Sequence, residues 1–279
     1  MDKLESWVGR SGFCPLSIQM KRSARSTELI SWIVDTIVIH RNRCEALTLI
    51  LPDSLISYIE GPMPMLRHLS LRFDDIDTDY IPVSYSISDL PLLRVVSLSN
   101  FDIPRDFLPW AQLTSLTLNP TAPSECIPII LEAVGLTYLE LTIASDDDCP
   151  PDALLHLPLL ESLIVVQPDP EAQTWPLPDF LGSFIVPRLR YFQVREAFLG
   201  EPAVYAAAVV AALIGVSGPS CRVQKLVVTG RTCLSQASLR KGLDVISRVA
   251  EIALYKEIAV WRQGGDEDDE DDEDDSESE

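Results

Sequence analysis

A unit of the form Leu-x-x-Leu-x-Leu, with conservative apolar swaps, recurs along the chain and constrains the fold more than any other feature. It reads Leu66-x-x-Leu69-x-Leu71, Leu93-x-x-Val96-x-Leu98, Leu113-x-x-Leu116-x-Leu118, Leu136-x-x-Leu139-x-Leu141 and Leu160-x-x-Leu163-x-Val165. Looser copies follow at Leu189-x-x-Phe192-x-Val194, Val223-x-x-Leu226-x-Val228 and Val249-x-x-Ile252-x-Leu254, and a partial copy ends in Leu47-x-Leu49. In a chain that is 47% hydrophobic the bare pattern is weak evidence, and its spacing decides the matter. Central positions 47, 69, 96, 116, 139 and 163 are 22, 27, 20, 23 and 24 residues apart. Pro64, Pro91, Pro158 and Pro187 each stand two residues before the first leucine. Composition alone would supply about one such match, so the period is real.

Alternating apolar residues at the fourth and sixth places point to one face of a short strand. The proline ends what precedes it and presets an extended lead into that strand. One unit cannot bury its leucines alone, whereas stacked neighbours can. The reading is therefore an α/β fold: a leucine-rich-repeat solenoid with eight to nine parallel strands on a concave side and helices or turns on the convex one. Helix-compatible stretches lie between the strands at Thr27 to His40, Ser124 to Val134, Pro151 to Leu157, Pro202 to Val216 and Ser235 to Ile246. The standard repeat has Asn or Cys three residues after its last leucine, bonding backbone at the turn. Here those positions include Pro52, Asp74, Phe101, Thr121 and Ala144, so no asparagine ladder is expected and the convex side should be irregular.

Charge divides the chain. The formal net charge is −20, but Asp266 to Glu279 holds twelve acidic residues and no basic one, which leaves −8 for the body. Residues 1–262 read as the solenoid and 263–279 as a disordered acidic tail, because like charges repel and nothing apolar is there to bury. An acidic body argues against nucleic acid, whose phosphates need clustered Lys and Arg. The six cysteines form no C-x-x-C pair, and Met1-Asp-Lys-Leu-Glu5 carries no signal-peptide pattern. An intracellular protein with reduced cysteines, in cytoplasm or nucleus, is expected. The apolar run Ala203 to Val216 is too short to span a bilayer, which needs about eighteen residues or more, so no membrane role is expected.

With these residues in view, the chain resembles the C-terminal repeat region of F-box/leucine-rich-repeat proteins of the basidiomycete fungal type. The resemblance rests on Trp7-x-x-Arg10-Ser-Gly-x-Cys14-Pro-Leu-Ser-Ile18 and on a helix followed by Arg43-x-x-x-Leu47-x-Leu49. It also rests on Met63-Pro-x-Leu66-x-x-Leu69-x-Leu71 and on Ile185-Val-Pro-x-Leu189-Arg, and covers residues 1 to about 260. Such proteins use an N-terminal F-box helical module to recruit a ubiquitin-ligase core, and their repeats select a substrate. The resemblance thus implies a substrate-recognition scaffold. Met1 stands already inside the repeat region with no Leu-Pro-rich helical module ahead, so ligase recruitment is not expected from these residues. Acidic leucine-rich nuclear phosphoproteins offer an alternative, since they too join repeats to an acidic tail and bind basic proteins. Their repeats keep the Asn position and their tails run longer. The tail's plainer role is solubility; Ser276 and Ser278, each followed by Glu, also resemble acidophilic-kinase sites.

Chemistry-bearing motifs are scarce. No GxGxxG, Walker loop, G-x-S-x-G elbow or H-E-x-x-H occurs, and His40, His68 and His156 are about a repeat or more apart. Asp75-Ile-Asp77-Thr-Asp79 begins like a calcium loop, but Tyr80 replaces the turn glycine and Ser86 the bidentate glutamate. Like Asp146-Asp147-Asp148, it reads as a solvated turn. The expectation is a non-catalytic protein with no cofactor and no metal, an uncharacterised enzyme being the remote alternative. A protein partner would meet the outward-pointing residues of the strands, which are mostly small hydroxyls. The exceptions are Arg72, Tyr138, Tyr191 and Arg195, of the residue types that anchor interfaces most often. A basic protein at the tail is a second partner class.

Overall fold

The computed structural model describes residues 2–20, 27–59, 61–73, 87, 89–100, 105–143, 154–166, 177–195, 213–214, 216–218, 220–230 and 249–256. The Asp75–Asp79 and Asp146–Asp148 turns, most of the apolar run from Ala203, the helix expected over 235–246 and the acidic tail 263–279 lie outside these residues.

Each apolar pair of the repeat becomes a strand. β1 (Leu16–Gln19), β2 (Cys44–Leu51), β3 (His68–Phe73), β4 (Val95–Ser99), β5 (Ser115–Thr121), β6 (Tyr138–Ile143), β8 (Ser162–Val166), β10 (Tyr191–Arg195), β11 (Val223–Gly230) and β12 (Val249–Lys256) form one sheet. They stand side by side in chain order, and every pairing is parallel. A second, two-stranded parallel sheet joins β7 (Leu155–His156) to β9 (Phe184–Ile185). The helices are α1 (Asp2–Arg10), α2 (Thr27–His40), α3 (Pro123–Glu132) and α4 (Leu177–Gly182). The protein is thus of mixed α/β class, with a large parallel sheet and few helices among the described residues.

Register makes the core. The fourth-place residues align as Leu47, Leu69, Val96, Leu116, Leu139, Leu163, Phe192, Leu226 and Ile252 across nine strands. None of them is more than 9% exposed. The sixth-place residues form a second buried row from Leu49 through Leu71, Leu98, Leu118, Leu141 and Val165 to Val194 and Val228. Both rows face the same way because side chains alternate along a strand. On that side α2 buries Ile30, Val34 and Ile37, spaced as one helix stripe, and α3 buries Cys126, Ile127, Ile129 and Ile130.

The prolines act in a more specific way than ending what comes before them. In Met63–Leu66, Leu90–Leu93, Leu157–Leu160 and Val186–Leu189 the fourth residue's N–H donates to the first residue's carbonyl at 3.0–3.2 Å. Proline is second in each turn, where its fixed φ suits a β-turn and its missing N–H is not needed. From these turns a backbone ladder runs along the strand starts: Arg67 N–H to the Glu45 carbonyl, Arg94 to Arg67, Thr114 to Arg94, Thr137 to Thr114, Glu161 to Thr137, Arg190 to Glu161 and Gln224 to Arg190.

Three expectations need correction. The sheet has ten strands, not eight or nine, because Leu16–Gln19 adds an edge strand whose register slips between Leu16 and Ser17. Its approach is a turn at Ser11–Cys14, where Gly12 has φ +55 and Arg43 donates to the Cys14 carbonyl and the Ser11 hydroxyl. Within the helix expected over Pro151 to Leu157, Leu155–His156 is strand instead, since pairing with Phe184–Ile185 outweighs local helix preference. Asparagine bonding is not wholly absent either. Asn100, one place early and at φ +56, donates through its side-chain amide to the Phe73 carbonyl of the preceding repeat at 3.4 Å.

Candidate functional site

The face of the sheet opposite the leucine rows is built by the residues between them. One outward row runs His68, Val95, Ser115, Tyr138, Ser162, Tyr191, Lys225 and Glu251; the next runs Ser70, Ser97, Thr117, Glu140, Ile164, Gln193, Val227 and Ala253. Most are partly exposed; Val227 departs, at 3% exposure.

Tyr138 and Tyr191 flank Ser162 on consecutive strands of this face. At a strand spacing of about 4.8 Å their Cα atoms lie about 10 Å apart. Each phenol is tied down along its own strand. Tyr138 Oη donates to Glu140 Oε2 at 2.5 Å, and Tyr191 Oη donates to Gln193 Oε1 at 2.7 Å. Both rings therefore lean toward the same end of the sheet, with Ser162 and Ile164 between them. Burial, followed by the bond to Glu140, the Glu140 charge and the neighbouring Tyr191, pushes the Tyr138 hydroxyl well above the usual phenol range. It stays protonated and remains a donor.

Arg72 is exposed and on the same face, in register with Ile50 and Ser99, but it lies three strands from Tyr138, about 14 Å across the sheet. Arg195 ends β10, four residues beyond Tyr191, and its side chain lies outside the description. The two tyrosines are thus brought together and Arg72 is not brought to them. Lys225 is the near cation: it stands on the far side of Tyr191 and pairs across the sheet with Glu251. Lys225 holds in the next repeat the position that Tyr191 holds in its own, and the register of β10 on β11 sets the two side by side.

A second concavity was not legible in the sequence. α1, β1 and α2 enclose an apolar groove of about 540 Å³ at the first edge of the sheet, lined by Trp7, Leu16, Ile18, Trp32 and Ile33 among others. Trp7 is 71% exposed beside it. Among the described residues no three His, Cys, Asp or Glu side chains gather to hold a metal ion, and no helix is long and apolar enough to cross a membrane. Neither the models of known protein families nor the curated proteins include a match to this chain.

Proposed function

We propose that the chain is a leucine-rich-repeat solenoid acting without catalysis as a protein-binding scaffold, and that its partner docks on the outward face of the sheet around Tyr138 and Tyr191. The arrangement of one strand per repeat, in chain order and parallel, supports the solenoid reading. The observation that carries the binding reading is the pair of half-buried tyrosines, held by hydrogen bonds on a face that no helix covers among the described residues. Rings fixed before binding lose little freedom on contact, and tyrosine is among the residue types that dominate interface energetics. The role fits the substrate-selecting repeats of F-box proteins that the sequence resembles.

The run of acidic residues from Asp266 favours a second reading, a binder of basic proteins through the tail. One experiment separates the two: partner capture with the full chain, then titration of Tyr191→Ala and of a variant with Asp and Glu at 266–275 replaced by Asn and Gln. Docking on the face predicts that Tyr191→Ala weakens binding by roughly 1–4 kcal/mol. The neutralised tail then changes mainly salt dependence and on-rate, since exposed charges act at range and are screened. If Tyr191→Ala binds like the parent and the neutralised tail abolishes binding, the tail is the ligand-binding element and the face reading fails.

A further inference from the structure

Where the strands begin, the segments leading into β10 and β11 enclose a polar pocket of about 320 Å³. Its lining includes Arg188, Arg190, Arg222, Glu161, Ser220 and Gln224. We propose that this pocket binds an oxyanion, a phosphate or carboxylate group, held by the guanidinium groups of Arg188, Arg190 and Arg222. The site lies at the end of the sheet rather than on its face, and so stands or falls apart from the partner-docking reading.

The pocket brings the three arginines together. Tyr191 pairs with Lys225 and with Ser162. One place back, Arg190 lies between Glu161 and Gln224, fixed there by its N–H to the Glu161 carbonyl at 2.9 Å and by the Gln224 N–H to its own carbonyl at 2.8 Å. Arg188, in the turn before β10, and Arg222, one residue before β11, line the same pocket. Like charges gathered around one pocket repel unless something of opposite charge joins them. The pocket supplies one carboxylate. Glu161 reaches Arg190 at 4.0 Å, a loose contact with both side chains about half exposed, and balances one cation of three.

The excess is notable in a chain that has 42 acidic residues to 22 basic. At the equivalent place two repeats in from the first edge, a single Arg67 faces a single Glu45 at 3.5 Å. An oxyanion satisfies what the pocket leaves over. Guanidinium forks match the geometry of carboxylate and phosphate oxygens, and the Ser220 hydroxyl and Gln224 amide add neutral donors. Free phosphate would supply such a group, and so would an acidic peptide of the kind present in the chain's own residues 266–275.

The test uses the full chain and follows arginine side-chain resonances at constant ionic strength. Inorganic phosphate is titrated in one arm and a synthetic peptide of residues 266–275 in the other. The expected result is saturation in at least one arm, with changes at Arg188, Arg190 and Arg222 and none at Arg94. Saturation by phosphate alone identifies a free anion as the ligand, and saturation by the peptide identifies acidic side chains. Arg188→Gln and Arg222→Gln, both at exposed positions, should each weaken binding about tenfold, and Arg222→Lys, which keeps the charge but not the fork, severalfold. Linear responses matched by chloride in both arms, or binding unchanged in the Arg188→Gln/Arg222→Gln chain, overturn the proposal.

Discussion

Phe192 and Tyr191 are consecutive residues of β10 that face opposite ways, and substituting each by alanine tests the alternation on which every inference about the face depends. Phe192 is fully buried, in register between Leu163 and Leu226. A phenylalanine removes about 150–250 Å² from water. At about 25 cal/mol per Å² the transfer is worth roughly 4–6 kcal/mol, an upper bound because the unfolded chain already buries some of it. Measured Phe→Ala costs in cores, about 3–5 kcal/mol, agree. Tyr191 is partly exposed and makes one hydrogen bond along the strand, so its removal should cost only about 1 kcal/mol. Thermal unfolding followed by far-ultraviolet circular dichroism reads the difference. In a body of this size 1 kcal/mol moves Tm by about 2–4 °C, so Phe192→Ala should lower it by roughly 6–20 °C and Tyr191→Ala by a few degrees at most. Equal losses, or a larger loss for Tyr191→Ala, would refute the inward assignment of Phe192 and the outward row with it.

Thiol labelling should separate the described cysteines by exposure: Cys14 is exposed and should react within the mixing time, while Cys44, Cys126 and Cys221 are buried and should wait for unfolding. Burial pushes the Cys44 thiol up to about 11, against the opposing pull of Arg43, so raising the pH from 7 to 9 should not speed its labelling in the folded chain; residue-resolved mass spectrometry checks both points. For Tyr138 the folded state favours the neutral phenol, so its contribution to stability is complete below the unfolded tyrosine value of about 10 and is lost as pH rises beyond it. Replacement by phenylalanine should flatten that alkaline loss of stability, measured as Tm from pH 8 to 11.

The strands were legible because a buried pair two residues apart fixes both period and face. Leu66-x-x-Leu69-x-Leu71 needs no tertiary information to be read that way, and the structure places all three leucines in the core. β1 escaped because its four residues show only one such alternation, Leu16 and Ile18, without a leading leucine. The Leu155–His156 strand escaped for a different reason. Its partner lies at Phe184–Ile185, and a two-residue pairing across that separation leaves no local trace. Tyr138 and Tyr191 could be named from residue type and position in the repeat, but not their adjacency. That depends on β8 alone lying between them, through an interval of 29 residues from Leu163 to Phe192 that carries its own inserted elements. That Arg188 and Arg222 share a pocket is harder still to read, because neither residue is periodic and each lies in a segment leading into its strand.

A parallel stack in chain order converts sequence position into distance along the sheet, about 4.8 Å for each strand, and so decides where recognition chemistry can concentrate. From β3 to β5 the outward residues are chiefly Ser70, Ser97, Ser99, Ser115 and Thr117, small side chains that suit strands and offer little area to a partner. From β6 onward the same rows carry Tyr138, Glu140, Tyr191, Gln193, Lys225 and Glu251. The leucine rows beneath do not change in character at that boundary, so core packing does not require the switch. β10 is where the two candidate sites meet, with Tyr191 outward on the face and Arg190 one residue earlier in the pocket at the strand's start. A ligand that spanned both would engage an aromatic anchor and a cationic cradle from one strand, and the same backbone ladder, Glu161 to Arg190 to Gln224, holds both in place.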